Sequence, residues 1–480
     1  MASYLSFPSI RADANPLTKH LHIALLDRQP PVALPDQLPL HADIRVSTLT
    51  PASIALLHSV GAWRSLAPAA APFVDMQVWD TGGNGFVRYD AAAVGADAMG
   101  FVVENRLLVA ALHERLKAHS AVQRLMPSSV TAAELPPYSP VAQLDGGSLV
   151  RLELEGGGSL HTRLLVGADG RGSRVRQWAQ IRTTGRDYQQ RGLVATVATA
   201  WPNQTAHQRF LPTGPLALLP VRGGFSSVVW SCPPELASKA TMAARLEALP
   251  RHELAAAITD ALTSGPNYPP RPPLGELLGG VLAPARSSRF VEPPAVTDVV
   301  GDAPKSFPLM LQHAGKRSLQ GRKGGATGRY VRPRVALIGD AAHGIHPLAG
   351  QGLNLGFGDA RVLAAAIATA VESGQDIGSA AMLEQQYEQP QKKVNSAMIA
   401  AMEAIKVVFG PQASRLFGTP ADLAASHAAL TTQHLMLLPS IWTMQEGPVA
   451  GLRSLGLDLI NQMPALKQTI QRVASAGTGL

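Results

Sequence analysis

The stretch 335–360, VALIGDAAHGIHPLAGQGLNLGFGDA, constrains this chain more than any other. A β-branched-rich strand, RVALIGD, ends in Gly339-Asp340, and a glycine-rich loop follows. A carboxylate at such a corner can accept hydrogen bonds from a polyol at the C-terminal edge of a sheet. Pro347 stiffens the turn, and Gly350 and Gly352 let the backbone pass close to a flat ligand, because no side chain intervenes. A helix predicted from about 353 turns unpaired N–H groups and its positive dipole end on the same place. A ring edge that carries negative charge, as in a reduced flavin, is stabilised there. Singly, Asp340 could cap a helix and each glycine could make a turn. The full string D-x-x-H-x-x-x-P-x-x-G-Q-G-x-N-x-G-x-x-D, from Asp340 to Asp359, asks for more than turns.

A second corner has the same grammar. In LLVGADGRGSRVRQ, 164–177, a buried strand runs into Asp169-Gly170, and the helix after it carries Arg174 and Arg176. An aspartate there can fix both the loop and a ribose or pyrophosphate contact; alone, it would read as an Asx cap.

The rest of the chain supplies a frame for the two corners. LHIALLD, 21–27, reads as a strand ending in an acid, and 44–63 starts extended and turns helical after Thr50-Pro51. DMQVWD and GFVRYD flank a Gly-Gly-Asn turn, and 105–119 is an amphipathic helix with Leu108, Leu112 and Leu116 four residues apart. Residues 149–170 form a hairpin feeding a strand at 164–168; 190–232 is strand throughout, with helix following to about 264. Helices are expected at 359–373, 377–410 and 450–474. Strands alternating with helices at both ends of a β-rich middle imply an α/β nucleotide-binding domain with a mostly antiparallel sheet inserted.

Composition removes several function classes. With 46% apolar and 16% charged residues, a large core forms and global disorder is excluded. The net charge of +8 is scattered, apart from a basic, glycine-rich stretch at 315–329 that reads as a solvated insertion, so nucleic-acid binding is not expected. Cys232, the single cysteine, rules out an internal disulfide or a cysteine-based zinc site. His343 and His346 form an H-x-x-H without a carboxylate cluster and read as walls of a ligand pocket rather than a metal site. Phe210, Leu211 and Trp230 face either a substrate cavity or the sheet core. No apolar run reaches membrane-spanning length.

These motifs resemble the flavin-dependent aromatic hydroxylases of the para-hydroxybenzoate hydroxylase type, and within them the ubiquinone-biosynthesis monooxygenases of mitochondria. RVSTLTPASIALLHSVGAW, MQVWD, MGFVVEN, RFLPTGPLALLP and VVWS add to the two corners, and the likeness runs from about residue 21 to the C-terminus. The resemblance implies bound FAD. Asp340 would hold the ribityl chain, and Gly339, Pro347, Gly350, Gln351, Gly352, Leu353 and Asn354 would line the isoalloxazine, with His346 and Pro347 as pocket wall. Asp169 and Gly170 would contact FAD, Arg45 its ribose and phosphate region, Asp27 the adenosine ribose, and Asn105 or Arg106 a further point. It also implies hydroxylation of a polyprenylated hydroxybenzoate or phenol by O2 through a flavin hydroperoxide. Electrons would come from a ferredoxin system or NAD(P)H. The setting would be the matrix side of the mitochondrial inner membrane, in peripheral contact with it and with other ubiquinone-biosynthesis proteins. The implied layout is an FAD-binding first part, 1–185, with a small β excursion near 72–97, then a substrate-binding sheet, 186–331. The last FAD-binding part, 332–375, and a helical region, 376–480, follow.

The family's G-x-G-x-x-G turn is expected within about 20 residues before Asp27, yet the chain has no glycine before Gly61. The first strand and its phosphate cradle are therefore absent. Two readings follow: an incomplete or alternatively spliced version of an active enzyme, or a scaffold that kept the shell without FAD. The intact glycine string favours the first.

Overall fold

The structure is a computed structural model that describes residues 18–83, 85–136, 149–233, 242–265, 268–270, 289–314, 329–344, 350–409 and 457. The predicted insertion, 315–329, lies outside these residues except for Arg329, as do His346, Pro347 and all of 450–474 except Leu457.

Two long strands, Thr183–Thr199 and Val296–Ala314, pair antiparallel and organise an eight-stranded sheet. Its order is His343–Gly344, Val296–Ala314, Thr183–Thr199, Ser226–Cys232, Gly214–Pro220, Thr205–Leu211, Asp75–Asp80 and Phe86–Asp90. Every neighbouring pair is antiparallel except Thr205–Leu211 with Asp75–Asp80, which is parallel. The β excursion near 72–97 thus forms one end of the large sheet. Alternation puts Leu193, Ala195, Val197, Leu216, Leu218 and Val228 on one face, all fully buried. The helices Met242–Glu247 and Arg251–Thr263 cover that face with Ala243, Leu254, Ile258 and Leu262. Leu211, Trp230 and Cys232 belong to this core, and Phe210, next along its strand, is buried on the opposite face. Arg209 is buried because its guanidinium caps the covering helix, donating to Ala261 O at 2.9 Å and Ser264 O at 2.6 Å.

The parallel strands form two separate groups. Ile23–Leu26 pairs with Val122–Leu125, and Leu165–Gly167 pairs with Val335–Leu337, which Val331–Arg332 joins antiparallel. Ile23 N–H donates to Ala121 O and Asp27 N–H to Leu125 O, so Ala24 and Leu26 turn their backbone groups the other way. Leu165 N–H donates to Arg334 O, and Gly167 O accepts from Ile338 N–H, so Val166 turns away likewise. Neither edge has a neighbouring strand among the described residues. The core behind these strands is nonetheless dense. Val335, Ala336, Leu337 and Ile338 are fully buried with Leu107, Leu112, Leu363 and Tyr387, between the helices Asn105–Lys117 and Gln351–Glu372.

Small antiparallel sheets complete the frame: Val46–Leu49, Gly100–Glu104 and Ala71–Phe73 in one, and Val130–Glu134, Val150–Leu154 and Ser159–Thr162 in another. Thr50 caps the helix Pro51–Ser59, as the Thr-Pro pair predicts. The end of strand Gly100–Glu104 is bound to the large sheet by the buried Glu104, which accepts from Arg222 and from Asp43 N–H. After Glu372 the chain winds through Ala380–Met382, a π-turn Leu383–Glu388 and the helix Gln389–Phe409. Within the π-turn, Tyr387 Oη donates to Leu337 O at 2.6 Å.

Candidate active site

Val335–Leu337 delivers Gly339-Asp340 into a short 3-10 turn, Gly339–Ala341. Gly339 takes φ 55°, a left-handed conformation that favours glycine. Asp340 has Arg171 as its charged neighbour, Nε to Oδ2 at 4.0 Å, and 37% of its side chain is exposed. Burial of the rest pushes its pKa above the usual carboxylate value, while Arg171 and His343 pull it down. No hydrogen bond occupies its oxygens among the described residues, so they are free to accept from a polyol.

The second corner leans on the first. Asp169 Oδ2 accepts the N–H groups of Arg174 at 2.7 Å and Val175 at 3.2 Å, the Asx-cap role, and Ser173 Oγ accepts from Arg176 N–H. Arg176 is buried, and its guanidinium donates to Ala341 O at 2.8 Å and Arg171 O at 2.5 Å. One side chain thereby fixes the spacing between the Asp169-Gly170 corner and the Asp340 turn. Gly170 is left-handed, with open space where a Cβ would stand.

The long helix begins at Gln351, two residues before the predicted start, so Gly352 and Leu353 lie in its first turn. Gly350 precedes it in a left-handed conformation, φ 62°, and no side chain caps it. A Cβ on Gly350 would meet Thr48 Oγ1 at 3.1 Å, which is why the strand Val46–Leu49 can approach this closely. Asn354 is consumed by the protein. Its Oδ1 accepts from Ser53 Oγ at 2.6 Å and Thr50 N–H at 3.1 Å, and its Nδ2 donates to Thr48 O at 2.8 Å. It stitches the helix start to the neighbouring strand and helix.

The remaining predicted residues are placed as follows. Asp27 is exposed just past strand Ile23–Leu26, with Oδ1 accepting from Gln29 N–H. Arg45 is exposed, its guanidinium 5.3 Å from the Phe307 ring of the large sheet, and its carbonyl accepts from Asn105 N–H. Asn105 opens the helix Asn105–Lys117 and keeps a buried Oδ1 without a partner; Arg106 beside it is exposed. Sequence reasoning overlooked Asp359 as a buried acid and Arg176 as a tie. A signal was present in both cases: a charge among small and apolar neighbours must find partners inside the fold.

These features fit FAD: an open carboxylate at the end of a parallel strand, a helix start behind a left-handed glycine, and, among the described residues, an orphaned buried amide oxygen at Asn105. Fold and site together define an α/β FAD-binding monooxygenase of the para-hydroxybenzoate hydroxylase type, and the FAD binding domain profile matches residues 38–264 and 308–401. The p-nitrophenol 4-monooxygenase structure from Pseudomonas putida aligns with 97% of this chain and 96% of its own, at TM-score 0.59 and 15% identity, a likeness of fold alone. The mitochondrial ubiquinone biosynthesis monooxygenase COQ6 of Xenopus tropicalis is 35% identical over 448 residues, 92% of this chain and 84% of that one. Ubiquinone hydroxylase UbiL of Rhodospirillum rubrum is 32% identical, over 95% of this chain and 84% of that one. The chain belongs to the family of ubiquinone biosynthesis FAD-dependent monooxygenases. No helix among the described residues is long and apolar enough to cross a membrane.

Proposed function

We propose that this chain is the FAD-dependent monooxygenase of a ring hydroxylation in ubiquinone biosynthesis, and that its substrate is a polyprenylated hydroxybenzoate or phenol. The observation that carries the reading is the open Asp340 carboxylate on a turn that Asp359 ties to the helix Gln351–Glu372, in a chain 35% identical to a ubiquinone biosynthesis monooxygenase. When bound, FAD supplies the two-electron reduction and activation of O2 that no side chain provides. The protein's part is placement. Asp340 accepts from the ribityl hydroxyls, and the helix start at Gln351–Leu353 stabilises negative charge on the ring edge. Asp27, Arg45, Asn105 or Arg106, and Asp169 with Gly170 take the adenosine and phosphate end. Gly339, Gly350, Gly352 and Asn354 shape the isoalloxazine seat, to which we also assign His346 and Pro347. The large sheet closes the other side and keeps water from the reacting ring.

The finer assignments belong to the same proposal. The FAD-binding parts are 1–185 and 332–375, and the substrate sheet is 186–331. Electrons come from a ferredoxin system or NAD(P)H, and the enzyme works at the matrix side of the mitochondrial inner membrane beside other ubiquinone-biosynthesis proteins; its relatives carrying the COQ6 name are mitochondrial. A second reading, a scaffold subunit without FAD, is the other outcome of the same test. The test is flavin absorbance of the purified chain after incubation with FAD, followed by O2 consumption with reductant and a prenylated phenol. A yellow protein that consumes O2 only with both supports the enzyme. A chain that stays colourless supports the scaffold.

A further inference from the structure

Asp359 has no exposed surface, and all its donors come from other elements. Its Oδ2 accepts Gly339 N–H at 2.7 Å and lies 2.6 Å from His343 Nε2. Its Oδ1 accepts from Asn395 Nδ2 at 3.0 Å, on the helix Gln389–Phe409. Gln391 Nε2 donates to Asn395 Oδ1 at 3.2 Å, so the second helix is itself braced. A buried carboxylate is tolerated when donors surround it, and here each donor has structural meaning. Gly339 and His343 are the two ends of one turn, and Asp340 sits between them. Gly339 is left-handed, one of several conformations a glycine reaches with equal ease, so contacts from outside the turn are what fix it. Arg176 grips the same turn from the other side, at Ala341 O.

We propose that Asp359 is the positioning residue for Asp340: with His343 and Asn395 it holds the 339–343 turn in the conformation that presents the Asp340 carboxylate to the ribityl chain of FAD. The hold on the turn is a property of the protein alone. The consequence for FAD rests on the function proposed above. Nothing in the arrangement places Asp359 against the ligand, since its oxygens are committed to Gly339, His343 and Asn395.

Two measurements on the full chain test this, using wild type, Asp359→Asn, Asp340→Ala and the double variant. The first is amide hydrogen exchange. Gly339 N–H should exchange about tenfold faster in Asp359→Asn, because a charge-assisted hydrogen bond is replaced by a weaker neutral one, while the strand Ser226–Cys232 exchanges as in wild type. The second is FAD affinity by flavin fluorescence. Asp359→Asn should weaken binding about tenfold or more in the wild-type background. In the Asp340→Ala background it should change affinity by less than about twofold, because both act through one contact. Unchanged exchange at Gly339 would overturn the hold on the turn, and fully additive losses would overturn the link to Asp340. Should Asp359→Asn fail to fold, His343→Gln and Asn395→Ala loosen the same carboxylate from its two sides and are read identically. A wild type that binds no FAD defeats the proposed function, and the exchange comparison still decides whether Asp359 sets the turn.

Discussion

In the eight-stranded sheet, strands of up to 19 residues pair with their neighbours, and a continuous apolar face is covered by two helices. In the parallel layer the parallel strands are three or four residues long and stand in two groups, with edges at Ala24, Leu26 and Val166 that no strand among the described residues covers. The large sheet is therefore ordered by its backbone ladder. The parallel layer, where the candidate site lies, is ordered by side chains that reach across elements: Asp359, Arg176, Asn354 and Tyr387. Substitutions in the first region should cost stability and leave flavin binding alone, whereas those in the second should cost both.

The largest effect belongs to the ion pair that ties the small sheet ending in Glu104 to the large one. Arg222→Met leaves Glu104, 2% exposed, as an uncompensated buried charge and should lower stability by about 3–5 kcal/mol. Chemical denaturation would show it, and a loss near zero would mean that the small sheet is held to the large one elsewhere. Next come two leucines with no exposed surface, Leu218 in the large sheet and Leu337 in the parallel layer. Each leucine-to-alanine change should cost about 2–5 kcal/mol. Melting with and without FAD should show the ligand rescuing Leu218→Ala as much as wild type and Leu337→Ala less. Equal rescue would erase the contrast. Gly301→Ala and Gly339→Ala, both at left-handed positions, should each cost about 1–2 kcal/mol. Only the second should weaken FAD, which a flavin titration reads directly.

The smallest effect is a pH slope. The pKa of Asp340 is raised in the folded protein, so between the ordinary value of 3.8 and its folded value the native state holds a proton that the unfolded chain releases. Stability of the ligand-free protein should fall as pH rises through that window. Asp340→Asn should lose that fall and bind FAD more weakly. Parallel slopes for the two proteins would show that the carboxyl is not perturbed.

Local chemistry was easy to read from the sequence. The strand into Gly339, the Thr50-Pro51 helix start and the hairpin around the Gly-Gly-Asn turn each follow from signals within a few residues. The parallel pairing of Asp75–Asp80 with Thr205–Leu211 was not legible, because it joins segments some 130 residues apart that carry only generic strand patterns. This is why the 72–97 excursion reads as a local feature and turns out to extend the large sheet. At the site, Asp340 is recognisable by its place at a strand end. Asn354 is harder: as a motif residue it reads as a ligand contact, yet its amide is spent on Thr48, Thr50 and Ser53. Asp359 closes the glycine string, and nothing nearby in the sequence announces Asn395, its partner 36 positions later.

The π-turn at Leu383–Glu388 gives this distant partnership an unexpected dependence on length. Each residue advances a helix by about 100°, so removing one residue there would rewind the segment as regular helix and rotate Gln391 and Asn395 off the face that meets Asp359. Insertions and deletions are ordinarily harmless in linkers. Here the number of residues in a single turn sets the phase of the brace behind the Asp340 turn.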